Sequence, residues 1–342
     1  VTLKPTYELV LNGLKQQAAQ HAELELTKRG ALRAGNTGLI TPDGEVAGKC
    51  ARQTLLRLRG IDAEAVNHSR ELMFGAGRGN EPLWIDNLVA GGIERDRIRC
   101  EEEVPIRWSL PSGRLVTGRP DLVIGNWEHH KPESGESEWV PERGLELKLV
   151  SSLWTGRDVA LKREPKLIHL LQAGHYAWKL DIPFEVWYTS RADFHLPPDT
   201  RWGEDKKWPR PGRPGSEFIG MNESGQPLKL IPFVVGFELG WFSGELRYRH
   251  LSPSGPGVWV SSIVTQAGIQ AYFETVDAMD RAGQLAPRPT SLTATGEKGS
   301  YNLCSYCPLN DLCKGWQGDA IDPWVEAAAA YIKTLSPTGS IR

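Results

Sequence analysis

The stretch ERGLELKLVSS, residues 142–152, decides the fold when it is read with GRPDLVIGNW at 118–127. The first carries Leu145, Leu147 and Leu149 at alternating positions, the second the β-favouring run Leu122, Val123 and Ile124, and they read as neighbouring strands. Side chains two apart on a strand point to one face, so Glu146 and Lys148 project together. A hairpin partner can bring Asp121, at the start of the preceding strand, beside them. Two carboxylates on one face suit a hard divalent cation such as Mg²⁺, which takes oxygen ligands and keeps several waters. Such a cation activates water and neutralises charge on a phosphate, and the lysine adds a positive charge next to it. Alone, an acid followed by Glu-x-Lys also describes many solvated strands.

Working outward, 6–26 has helical periodicity, 36–45 is turn-rich, and CARQTLLRLRG at 50–60 reads as a helix stopped by Gly60. A second helical segment spans 69–92. Strands follow at 97–108, 114–127 and 144–152, with the polar residues 128–144 as a hairpin loop that carries His129 and His130. LIHLLQAGHYAWKL at 167–180 reads as a crossover helix and 184–192 as the next strand. Paired strands at 231–242 and 244–252 precede a long helix over 261–285 and a terminal helix over 322–335. The order predicts an α/β core built on a mostly antiparallel set of strands.

The 342 residues carry a net charge of −2 and five cysteines, three of them within ten residues, Cys304, Cys307 and Cys313. An odd, clustered set suits a metal site in a reducing compartment better than a disulfide framework. No apolar run is long enough to span a bilayer, and no secretory leader opens the sequence, so the expectation is a soluble, cytoplasmic protein. No phosphate-binding G-x-x-x-x-G-K-[ST] occurs, so any unwinding would come from a partner in trans. A loop insertion at about 193–230 contains Trp202, Lys206, Lys207, Trp208 and Arg210. Indoles interleaved with basic residues there could hold a DNA strand by stacking and phosphate contacts, or pack on the domain beneath.

GRPD, then ELK, then QAGHY together resemble the PD-(D/E)XK nuclease superfamily, and its RecB-like branch most closely. The resemblance implies a restriction-endonuclease-like core, a central mixed sheet flanked by helices. It implies phosphodiester hydrolysis of DNA, with exonuclease action at DNA ends the expected mode, and a setting in recombination, repair or phage DNA metabolism. Asp121, Glu146 and Lys148 would be catalytic, with Gln172 and Tyr176 of a Q-x-x-x-Y helix supporting the strand and the lysine. GAGRGNEPL places Glu81 in the position of the first acidic motif. Mg²⁺ or Mn²⁺ would be held by Glu81, Asp121, Glu146 and the carbonyl of Leu147. One group of these nucleases, of the AddB type and the type serving CRISPR adaptation, closes an iron–sulfur site with one N-terminal cysteine and a C-terminal trio. Cys50, followed by Arg52, would then join Cys304, Cys307 and Cys313 around a [4Fe–4S] cluster, although the spacing by itself fits zinc too. Cys100 reads instead as a small buried hydrophobe on a strand, and His169 and His175 carry no assigned role. The alternative is a DNA-end-binding subunit of the same fold without activity. The expected organisation is an N-terminal helical segment 1–49, a nuclease core 50–285, a cysteine segment 286–318 and a terminal helix and tail 319–342.

Overall fold

The computed structural model describes residues 30–61, 80–101, 103–131, 136–150, 163–190, 227–230, 233–252, 254–287 and 309–335. It also describes short pieces at 156, 159–160, 194–195, 219–221 and 307. Within these the protein is mixed α/β, with a large mixed sheet flanked by helices. The chain divides into two compact units. One comprises Val1–Gly79, Pro105–Arg119 and Ile263–Arg342, the other Asn80–Val104 and Pro120–Ser262. These units cut across the boundaries expected at 49 and 285.

In the first unit, β1 (Leu32–Arg33) lies parallel to a later strand, and β2 (Gly38–Ile40) pairs antiparallel with β3 (Val46–Gly48). The described part of the predicted N-terminal helical segment is therefore extended chain, and its helix over 6–26 lies outside the described residues. Helix α1 (Ala51–Leu58) ends at Gly60, whose φ of +80° a side chain would strain.

The second unit opens on α2 (Glu81–Ala90) and β4 (Ile98–Cys100). The strand predicted over 97–108 is broken here. Its second half is β5 (Ile106–Ser109), which pairs with β6 (Leu115–Gly118) and, through β6, with β1 in the first unit. The strand predicted over 114–127 is broken likewise at Pro120, which lacks a ladder N–H and restricts Arg119 before it. β7 (Leu122–Lys131) and β8 (Glu136–Leu149) then form a long antiparallel hairpin. The loop predicted over 128–144 is thus mostly strand, because Trp127 pairs with Trp139 and the β-favouring aromatics prolong the ladder.

Helix α3 (Leu167–Leu180) crosses from β8 to β9 (Phe184–Ser190), which runs parallel to β8. β10 (Phe194–His195), β11 (Ile219–Met221) and β12 (Pro227–Leu230) form a small sheet of order β10-β12-β11, so the predicted irregular insertion contains strands. Trp202, Lys206, Lys207, Trp208 and Arg210 lie outside the described residues. β13 (Phe233–Phe242) and β14 (Glu245–Leu251) are joined at Ser243 and Gly244, both with positive φ, which suits a tight hairpin. β15 (Val260–Thr265) completes the large sheet, whose order is β15-β14-β13-β9-β8-β7-β4. The helix predicted from 261 starts only at α4 (Gln266–Arg281), where the Thr265 hydroxyl caps Gly268 N–H at 3.0 Å; the β-branched run before it is strand. α5 (Asn310–Gly315) and α6 (Ile321–Leu335) end the described chain.

Two helices cover opposite faces of the large sheet. On one face Trp84, Ile85 and Leu88 of α2 pack on Ile98, Leu122, Ile124 and Leu145. Cys100 joins this apolar cluster, as its strand position predicts, and burial pushes its thiol pKa up. On the other face α3 lies against β8, β9 and β13, with Trp241 Nε1 donating to the Gly174 carbonyl at 3.0 Å. In the first unit, Arg114 bridges Asp277 and Asp280 of α4, and Arg59 also reaches Asp280 at 2.6 Å.

Candidate metal centre

The strand registers fix which side chains meet. Val123 opposes Gly144, and Glu146 and Lys148 lie beside Val186 and Tyr188 of β9. Asp121, Glu146 and Lys148 therefore share the face that α3 covers in part. Lys148 Nζ forms an ion pair with Glu146 Oε1, while Asp121 Oδ2 accepts from the Leu147 backbone N–H at 2.6 Å. It is thus the Leu147 amide, rather than its carbonyl, that is engaged here. Glu146 is 0% exposed, and its second oxygen, Oε2, is buried without a hydrogen-bond partner among the described residues. An orphaned, buried carboxylate oxygen is costly, and a cation ligand is one way to satisfy it.

A fourth carboxylate, Glu101, was not found by sequence reasoning. Glu81, Glu101 and Asp121 each offer an oxygen within 4.8 Å of the others, and all three are half-buried. Glu81 sits at the first position of α2, after Asn80, whose side chain donates to Thr189 Oγ1 at 3.2 Å and ties the helix start to β9. Glu101 follows the last residue of β4. Its only signal in the sequence is three consecutive acids, Glu101 to Glu103, directly after a strand.

Excess negative charge shapes the protonation of the group. Burial, then Asp121, pushes the Glu146 carboxyl up to about 8, against the pull of Lys148. Burial also raises Asp121, with Lys148 and the Leu147 amide acting against it. For Lys148 burial disfavours the charge, but Glu146 and Asp121 outweigh it and the pKa rises. The two partners' shifts have one cause: a single ammonium faces several carboxylates, so the lysine stays charged and one carboxyl retains a proton near neutrality. An all-oxygen donor set with surplus negative charge fits a hard divalent cation, which would take the place of that proton.

On α3, Gln172 Nε2 donates to Tyr176 Oη at 3.2 Å, so the predicted pair is one hydrogen-bonded unit. One turn earlier, His169 Nδ1 shares a hydrogen bond of 2.9 Å with Tyr188 Oη, and Tyr188 also accepts from Lys166 N–H at 3.0 Å. These bonds anchor the start of α3 to β9 beside Lys148. His175 is fully buried, and burial drives its pKa down to about 3, so it is neutral.

Cys50, Cys307 and Cys313 lie near one another in the first unit. Cys50 is the residue before α1, and the backbone N–H groups of Gln53 and Arg52 reach its sulfur. Arg52 Nη1 lies 3.0 Å from Cys313 Sγ, and Gln53 Nε2 lies 3.1 Å from Cys307 Sγ. Arg52 is itself held by the Ala286 carbonyl at 2.6 Å and stacks on Trp324, in an apolar cluster that includes Leu56, Leu285 and Leu309. Cys50 is pushed up to about 12, by burial first and by the neighbouring Cys307 and Cys313. Sulfurs ringed by N–H donors suit thiolates ligating a group that neutralises them. Cys304 lies outside the described residues. Among those residues the acid triad alone has three ligand atoms mutually within 4.8 Å, so the three described sulfurs are spread more widely. One tetrahedral zinc, with Zn–S of about 2.3 Å, would hold its thiolates about 3.8 Å apart.

Among the described residues no helix is long and apolar enough to cross a membrane. No family model matches the chain, and no curated protein or solved structure matches it either.

Proposed function

We propose that the protein is a metal-dependent deoxyribonuclease of the PD-(D/E)XK kind. The observation that carries this reading is the convergence of Asp121, Glu146 and Lys148 on one sheet face, with Glu146 Oε2 orphaned beside them. The order of α2, three antiparallel strands, crossover helix α3 and parallel β9 supports the restriction-endonuclease-like core. Glu81, Glu101 and Asp121, whose oxygens lie within 4.8 Å of one another, would hold Mg²⁺ or Mn²⁺, while Glu146, expected as a ligand from the sequence, falls outside that group. When bound, the cation supplies Lewis-acid neutralisation of phosphate charge and a more acidic water.

The chain's own groups do the rest. The Leu147 amide fixes the rotamer of Asp121, leaving its other oxygen for a ligand. Lys148, kept protonated by the carboxylates around it, acts as a positive donor to the attacking water or the phosphate rather than as a resting base. The Gln172–Tyr176 pair would act as a hydrogen-bonded support on α3, with Tyr176 buried. In the net reaction a water oxygen bonds to phosphorus, one P–O ester bond breaks, and the leaving alkoxide takes a proton.

Digestion of end-labelled single- and double-stranded DNA in Mg²⁺ or Mn²⁺ tests the assignment. Cleavage is expected from the native protein and absent from Asp121→Asn, which keeps the size of the side chain but loses its charge. A native protein that binds DNA and cleaves neither substrate would instead be an end-binding subunit.

The cysteine group is proposed to hold a [4Fe–4S] cluster as a structural staple, a reading supported by the N–H donors of Arg52 and Gln53 at the Cys313 and Cys307 sulfurs. Protein purified without oxygen should be brown, and Cys50→Ser should bleach it and lower the thermal midpoint. Colourless native protein that contains zinc would overturn this assignment.

A further inference from the structure

Among the described residues helix α3 makes its main contacts with β8, β9 and β13 and few at most with β7 or β4. On that β7–β4 part of the same face stands a second arrangement. Arg99 of β4 lies opposite Val123, and Trp127 of β7 lies opposite Trp139 of β8. The Arg99 guanidinium sits 4.3 Å from the ring centroid of Trp139 and 5.8 Å from that of Trp127. Gly125 makes room for this: a Cβ there would lie 2.4 Å from the Trp139 ring. Trp139 is pinned further by its Nε1 donating to the Arg97 carbonyl at 3.3 Å. Trp127 is the outer member and is 40% exposed.

Two features give this surface a direction. Among the described residues the half-buried Arg99 contacts the two rings and has no ion-pair or hydrogen-bond acceptor. Val123, Gly125 and Trp127 also alternate along β7, which starts one residue after Asp121, while the pairing with β8 shifts register between Ile124 and Gly125. Six residues at about 3.3 Å each place Trp127 about 20 Å from Asp121, a reach of a few nucleotides.

We propose that Trp127, Trp139 and Arg99 form a strand-docking subsite: an unpaired nucleobase stacks on Trp127 while Arg99 meets a phosphate of the same strand. A flat indole accepts any base face, and a cation already desolvated between two rings loses little by binding an anion. A base inside a duplex has its faces covered by its neighbours, so the occupant is an unpaired segment. This rests on the nuclease reading for its phosphate at the acid group, but not for the stacking itself.

The test is fluorescence anisotropy of labelled oligodeoxythymidylate and of a blunt duplex, with Ca²⁺ in place of Mg²⁺. Trp127→Ala should weaken binding of the single strand about 5- to 100-fold and of the duplex by less than about twofold. Trp127→Phe should restore most of the loss. Arg99→Ala should lower the slope of log affinity against log salt by about one. Unchanged single-strand binding in Trp127→Ala, or an equal loss on the duplex, overturns the proposal. Strand binding that depends on Trp127 in a protein that cleaves nothing removes the nuclease reading and keeps the subsite. Cleavage with binding indifferent to Trp127 does the reverse.

Discussion

Lys148→Ala should reduce metal-dependent cleavage by about 10²- to 10³-fold, the usual cost of removing one preorganised positive donor from a phosphate or oxyanion site. The same variant should bind Mn²⁺ at least as tightly as the native protein by calorimetry. Lys148, paired with Glu146 beside the acid group, repels the cation, and removing it relieves that repulsion. A fall in cleavage with metal affinity kept therefore marks Lys148 as acting on substrate or water. Cleavage at the native rate in Lys148→Ala would remove the lysine from the mechanism. Loss of Mn²⁺ binding together with cleavage would mean that its role is to hold the carboxylates in place.

Glu146→Gln should abolish cleavage and yet stabilise the metal-free protein at alkaline pH. The Glu146 carboxyl is raised from 4.5 to about 8 in the folded state. Between those values the folded protein binds more protons than the unfolded chain, so stability falls as pH rises through that window. Below about 4.5 both states are protonated and the penalty is gone. Lys148, whose folded pKa is raised, contributes stability that is complete throughout this window and is lost only well above it. Asp121 is raised as well, so part of the slope belongs to it. The expected loss between pH 5 and 8 is on the order of 3 kcal/mol. Most of it should vanish in Glu146→Gln, read as the thermal midpoint against pH by calorimetry. Saturating Mn²⁺ should reverse the sign, because cation binding needs the deprotonated acids. A native midpoint that is flat across pH 5–8 without metal would show that Glu146 is not the buried, proton-holding acid described above.

Period-two alternation made much of this site legible. It placed Glu146 beside Lys148 correctly, because β8 is regular through both residues. Helix α3 was legible over its full length, 167–180, since an uninterrupted apolar stripe needs no tertiary help to be read. Glu101 was not legible. β4 ends at Cys100, so Glu101 reaches the acid group from a turn, where strand parity no longer applies. The breaks at 101–105 and at Pro120 were missed for a related reason: β-favouring residues continue on both sides, and only the division into two units separates them. β15 was read as helix because Val260–Thr265 runs directly into a helical sequence, and the β-branched residues decide the matter only where a sheet edge receives them. The cysteine pairing was legible only through the resemblance. Arg52 and Gln53 reach Cys313 and Cys307 across more than 250 positions, a separation that no local pattern reports.

The two compact units have a consequence for how the molecule can be taken apart or have been assembled. The backbone passes between them at four points: after Gly79, Val104, Arg119 and Ser262. A protease that cuts at any one of these leaves both units represented in a single covalent piece. Joining two genes end to end gives one crossing, not four. The two units are therefore not modules that a simple end-to-end fusion could have brought together. Moreover, Glu101 and Asp121 flank the very excursion, Pro105–Arg119, that leaves the sheet unit and returns. Excising that hairpin with a short linker would redraw the path between two members of the acid group.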